Sequence, residues 1–163
     1  MWSGVLAVEF FFEEKGYPMI KQQAQAVWRG GLKDGNGSFR SGTIDGNYSF
    51  ASRFEGGEGS TPEELIGAAQ AACFSMALSL FLGERGHTPE SIRTTATVSL
   101  DPKQLAITQI ELETEADVAG LDEAEFRETA EQAKQNCPVS KALGGVRLVL
   151  RSATLTSVGA DRR

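Results

Sequence analysis

Between Leu65 and Leu82 nearly every position is apolar or small, and Gln70, Ser75 and Ser79 are the clear polar exceptions. A helix that is apolar all round is the central rod of a core or a membrane span; the Ala- and Ser-rich composition and the internal Gln70 argue for the rod. Its start is marked by Thr61 as a cap, Pro62 at the first helical position, and Glu63 and Glu64 at the positive end of the dipole. Gly83 offers a stop.

Elsewhere the period changes to two. Ile92, Thr94, Ala96, Val98 and Leu100 alternate with Ser91, Arg93, Thr95, Thr97 and Ser99, which predicts a half-buried strand. After a turn at Asp101-Pro102, a second strand carries Thr108, Ile110, Leu112, Thr114, Ala116 and Val118 on one face, with Gln109, Glu111, Glu113, Glu115 and Asp117 forming a solvated row on the other. Upstream, Lys21 to Trp28, Ser38 to Ile44 and Asn47 to Phe54 read as three short strands of a meander, with Asp45-Gly46 as a hairpin turn. The glycine-rich EGGEGS that follows is a flexible lead, placing Arg53 just before a helix N-terminus. Asp122 and Glu125 have the form of a capping box for a helix from Glu123 to Gln135, which Asn136-Cys137-Pro138 ends. A turn over Val139 to Leu143 and a strand from Val146 to Leu155 close the chain. The order predicts an α+β fold, with predominantly antiparallel sheets around the long buried helix.

At 163 residues and 40% hydrophobic content the chain forms one domain, residues 19–163, behind an N-terminal extension over residues 1–18. Net charge of -6 without a Lys/Arg cluster argues against nucleic acid and against anionic membranes. The first residues lack the basic n-region of an export signal, and two widely spaced cysteines do not make a disulfide scaffold, so a reducing cytoplasm is the expected compartment. One histidine and two scattered cysteines supply no metal-ligand spacing, and no phosphate-cradling loop, Cys-x-x-Cys or Ser/His/Asp arrangement is present, so no metal or cofactor is expected.

Chemistry is sought first at the cysteines. Cys73 sits mid-helix among Ala71, Ala72 and Phe74, where packing is a sufficient explanation, since a free cysteine behaves as a small hydrophobe. Cys137 sits in a break between helices, ahead of a turn whose free N–H groups would favour a thiolate. If the two touch, one can attack and the other resolve a sulfenic acid to a disulfide; the sequence leaves their contact open. A reactive thiol needs a cation, and Arg53 is the nearest candidate, with Glu55, Glu58, Glu63 and Glu64 available to orient it. Glu63 and Cys73, ten residues apart, would lie about 15 Å apart on a straight helix. If Arg53 and Glu63 serve a cysteine, either the helix breaks near its start or they serve Cys73 of a second subunit.

The run Arg53-Phe54-Glu55-Gly56, the block GSTPEELIGAAQAACFSMALS and the later Asn136-Cys137-Pro138-Val139-Ser140 resemble the osmotically inducible protein C (OsmC) family, over about Met19 to Leu155. The arginine before Phe-Glu-Gly and the PEELIGAA helix resemble the OsmC subgroup more than the related organic hydroperoxide resistance proteins. The resemblance implies an OsmC-like fold and an intertwined homodimer with sites at the subunit interface. It implies a thiol-dependent peroxidase in which Cys73 is peroxidatic, Cys137 resolving, Arg53 the activator of the thiolate and Glu63 the residue that holds Arg53. It further implies organic hydroperoxides as substrates, favoured over hydrogen peroxide by apolar surroundings that include Phe74, Met76, Phe81 and Phe54. The implied reductant is an external dithiol or a lipoyl-carrying protein. The alternative is a non-enzymatic dimeric stress protein that binds an apolar ligand or senses redox state through its cysteines.

Overall fold

The computed structural model describes residues 15–156, so most of the expected extension, residues 1–14, lies outside the described residues. The described residues fall into two compact units with their boundary in sequence between Thr61 and Pro62.

The first unit is a meander of β1 (Gln25–Arg29), β2 (Asn36–Ser41) and β3 (Ile44–Ser49), paired antiparallel in that order, followed by a short helix α1 (Phe50–Phe54). The hairpin turns at Gly42-Thr43 rather than at Asp45-Gly46, since Ser41 pairs with Ile44 and Gly42 takes a φ of 56°. Gly46 lies inside β3 because the Phe39 ring packs over it, where an added Cβ would come within 2.8 Å of that ring. The expected strand to Phe54 also ends early. Ser49 caps α1 by accepting from the Ser52 amide at 2.9 Å, and Ser52 Oγ returns the bond to the Ser49 amide at 2.9 Å. This reciprocal cap turns an apolar run that reads as extended into a helix.

The second unit holds a long helix α2 (Pro62–Glu84), a sheet of β4 (Pro89–Asp101), β5 (Ala106–Val118) and β6 (Arg147–Leu155), and between the last two strands the helices α3 (Glu123–Asn136) and α4 (Pro138–Ala142). β4 and β5 pair antiparallel, as their alternation predicts, whereas β6 runs parallel to β5. A parallel neighbour requires a crossover, which α3 and α4 supply. The core joins Phe74, Leu78 and Leu82 of α2 to Leu112 and Ala116 of β5 and Phe126 of α3. On the opposite face of the sheet Arg93 pairs with Glu115 and Arg151 with Glu111, so the acidic row is partly neutralised by its neighbouring strands.

Helix α2 continues one residue past Gly83, to Glu84. Gly86 has a φ of 85°, its amide donates to the Gly83 carbonyl at 3.0 Å, and the His87 amide donates to the Leu82 carbonyl at 2.9 Å. This is a Schellman closure. The polar exceptions in α2 are each accounted for: Ser75 donates to Thr94 at 2.8 Å, Gln70 donates to Ser140 at 2.8 Å, and Ser79 is exposed. The helix is buried along one side only in the single chain. Leu65, Ala69, Ala72, Met76 and Leu80, one face at helical spacing, are exposed, Met76 to 77%. By length and composition α2 could cross a membrane, with a mean hydropathy of 1.8. Its buried side is instead the centre of the second unit's core.

Asp122 caps α3 by accepting from the Glu125 amide at 2.9 Å. Asp122→Ala is expected to lower stability by about 1 kcal/mol, because an orphan helix donor loses its partner. Urea denaturation should show the loss as a lower midpoint with an unchanged slope.

A two-cysteine candidate site

Cys73 lies in the middle of α2, on a side that is partly buried, and Cys137 lies fully buried at the junction of α3 and α4. The junction follows from Pro138. Proline displaces the preceding residue from helical geometry, and Cys137 takes φ -57° and ψ 130°, ending α3 and opening α4. Its backbone stays engaged on both sides: the Cys137 amide donates to Ala133 at 2.9 Å, and its carbonyl accepts from Lys141 at 3.0 Å. The sharp change of direction is therefore held by hydrogen bonds, and it presents the thiol to α2.

The two thiols are neighbours that interact directly. The residues that the sequence left apart are thus in contact within one chain. Burial first and the contact with Cys137 second push the Cys73 thiol up to about 11, against a smaller lowering from the Val139 amide. The free N–H of the new helical turn therefore serves Cys73, not Cys137 as the sequence reading expected. No cation is among the groups that set this value. At neutral pH such a thiol is protonated, and a thiol is a poor nucleophile until it ionises.

Glu63 stands in the first turn of α2, which runs unbroken from Pro62 to Glu84. Ten residues of helix separate it from Cys73 of the same chain by about 15 Å, so the expectation that the helix could break near its start is not met. Arg53 lies in α1 of the first unit, its guanidinium 5.4 Å from the centre of the Phe54 ring, and Phe54 packs against Phe50 at 4.9 Å between centroids. The glycine-rich segment after it is tied back rather than loose. Ser52 Oγ donates to the Ser60 carbonyl at 3.1 Å, the Ser60 amide to Asn47 at 2.8 Å and the Gly57 amide to Ala51 at 2.9 Å. Arg53 is therefore presented from a pinned turn.

Phe74 and Phe81, expected around the thiol, belong to the core of the second unit, where they are 0% and 5% exposed. The sequence reading did not assign Gln70 or Ser140. Gln70 is fully buried, one turn before Cys73, and its bond to Ser140 joins α2 to α4. A lone carboxamide in an apolar helix was the available signal; its partner was not.

A three-stranded mixed sheet backed by a long helix, with two neighbouring thiols at a helix junction, defines a class, an α+β protein with a partly buried two-cysteine site. The comparisons with known proteins place it within that class. Residues 55–151 match the model of the OsmC-like protein family. The chain is 53% identical over 129 residues to Peroxiredoxin OsmC of Escherichia coli (strain K12), spanning 76% of this chain and 90% of that protein, and equally similar to Peroxiredoxin OsmC of Shigella flexneri. The chain belongs to the OsmC-like protein family. Among solved structures, the organic hydroperoxide resistance protein OhrB of Bacillus subtilis superposes with a TM-score of 0.57 at 27% identity, over 80% of this chain and 97% of that one. An OsmC-like protein from Mycoplasma pneumoniae shares the fold at a TM-score of 0.66 and 18% identity, over 84% of this chain and 99% of that one.

Proposed function

We propose that the protein is a cysteine-based peroxidase that reduces organic hydroperoxides. The observation that carries this reading is the neighbouring Cys73–Cys137 pair in a chain 53% identical to a peroxiredoxin. The Cys73 thiolate attacks the distal peroxide oxygen, the O–O bond breaks, and the alkoxide leaves as the alcohol after taking a proton. Cys73 becomes a sulfenic acid. The Cys137 thiol then attacks the Cys73 sulfur, water leaves, and the disulfide forms. Two thiols of an external dithiol, free or carried as a lipoyl group, reduce it and restore the pair.

Activation of Cys73 comes from Arg53 of the partner subunit, oriented by Glu63, in a homodimer. Three features support this. The Cys73 thiol, at about 11, needs a cation to ionise near neutral pH. The unbroken α2 keeps Glu63 away from Cys73 of its own chain. The exposed apolar face of α2 from Leu65 to Leu80 suits burial against a second copy. Together they favour a site completed across the subunit interface.

The test is turnover of cumene hydroperoxide and hydrogen peroxide with excess dithiol, followed by one round of oxidation of Cys137→Ser without reductant. Faster turnover of the organic peroxide is expected, and in Cys137→Ser a Cys73 sulfenic acid that dimedone captures. Absence of turnover in reduced wild type would move the weight to a ligand-binding or redox-sensing protein.

A further inference from the structure

Gln70 is the one long polar side chain within the apolar stretch of α2, and it is 0% exposed. Its Nε2 donates to Ser140 Oγ at 2.8 Å, while its Oε1 is buried without a hydrogen-bond partner. Burying an unsatisfied carbonyl oxygen is unfavourable, and a leucine or methionine would fill similar space without it. The carboxamide thus brings to the fold the bond to Ser140, at the cost of an orphan acceptor. That bond spans the two elements that carry the thiols. Gln70 lies on α2 one turn before Cys73, and Ser140 lies on α4 three residues after Cys137 and next to Val139, whose amide donates to Cys73.

We infer that Gln70 is a positioning residue for resolution: through Ser140 it holds the first turn of α4 against α2, so that Cys137 stays within reach of Cys73 after Cys73 is oxidised. Disulfide closure requires the two sulfurs to approach to about 2 Å in a restricted dihedral geometry, and α4 has only five residues with which to hold its own orientation. α4 keeps its internal bonds, Lys141 to Cys137 and Leu143 to Val139, without the tether. What the tether adds is registry between α4 and α2. Peroxide attack is made by Cys73 and draws on α4 only through the Val139 amide, whereas the second step needs Cys137 itself in register. The inference rests on the peroxidase reading for its role in turnover, but the geometry it describes is independent of the oxidant.

The experiment compares wild type with Gln70→Met, Ser140→Ala and Ser140→Thr, each checked by circular dichroism for native helix content in the reduced state at a temperature below its own melting transition. One equivalent of cumene hydroperoxide is mixed rapidly, and sulfenic acid and disulfide are quantified over time by dimedone trapping and mass spectrometry. In parallel, diamide closes the same pair: the first thiolate adds to its N=N bond, and the second displaces the hydrazine to leave the disulfide. In Gln70→Met and Ser140→Ala, sulfenic acid formation should slow far less than closure, by no more than the weakened Val139 amide bond accounts for, while disulfide closure slows by about tenfold or more with either oxidant. Sulfenic acid should then accumulate and pass to sulfinic acid. Ser140→Thr, which keeps the hydroxyl, should restore closure. Closure at the wild-type rate with diamide in both Gln70→Met and Ser140→Ala overturns the tether. Failure of peroxide to oxidise wild-type Cys73 overturns the peroxidase reading instead, and the diamide rates still decide the tether.

Discussion

Cys73→Ser is expected to bring hydroperoxide turnover down to the uncatalysed background while leaving the fold intact. The substitution exchanges one small side chain for another on a partly buried side of α2, outside the Phe74–Leu78–Leu82 core, so little packing is lost. The chemistry does not survive it. Only a thiolate combines sufficient nucleophilicity with a charge accessible near neutral pH, and a serine hydroxyl has neither without a base beside it. Cys137 cannot substitute as the attacking group, because it is 0% exposed and a peroxide has no approach to it. The measurement is cumene hydroperoxide consumption with excess dithiol, together with circular dichroism to show the native helix content. Retained turnover in a folded Cys73→Ser would return Cys73 to a packing role and sink the assignment of the two thiols.

What the sequence disclosed depended on whether a local pattern or a distant partner made each decision. β4 and β5 were legible because a single face, Ile92 to Val98 and Ile110 to Val118, meets one core, and period two records that directly. α3 was legible from Asp122, a cap that acts three residues away. The first hairpin was not. Gly42-Thr43 and Asp45-Gly46 both offer a glycine, and the choice falls to Phe39 stacking over Gly46, a cross-strand contact that no dipeptide announces. α1 was missed because its capping partner at the third position is Ser52, whereas the usual signature has Glu or Gln there. The parallel pairing of β6 is a consequence of the α3–α4 crossover and has no signature in β6 itself. At the site, residue type alone singled out Cys73 and Cys137, but their contact depends on that crossover and on the bend at Pro138. The central helix was read as buried on every side. In the single chain it keeps an exposed apolar face, and an all-apolar pattern cannot distinguish a core within one chain from a core shared by two.

Arg53→Ala should lower turnover at pH 7 by on the order of 100-fold, and the size follows from two opposing effects. On the proposed reading, Arg53 of the partner subunit offsets the burial that holds Cys73 at about 11, so that a thiolate forms near neutral pH. Without the cation the Cys73 thiol returns toward about 11 and the thiolate fraction at pH 7 falls steeply, while the more basic thiolate recovers part of that loss through its greater nucleophilicity. The pH dependence has a definite sign: alkylation of Cys73 by iodoacetamide should have its midpoint moved upward in the variant, toward 11. Arg53→Lys keeps the charge but not the bidentate fork that Glu63 would hold, so an intermediate rate is expected. Complementation then asks which chain the arginine serves. Arg53→Ala and Cys73→Ser are each expected to be nearly inactive, but in the proposed homodimer a mixed pair would contain one site with the intact Cys73 of the first chain and the intact Arg53 of the second. Random reassortment should therefore restore about one quarter of wild-type turnover if arginine and cysteine meet across a two-fold interface. If they meet within one chain, no intact site is created by mixing, and turnover stays at the level of the separate variants.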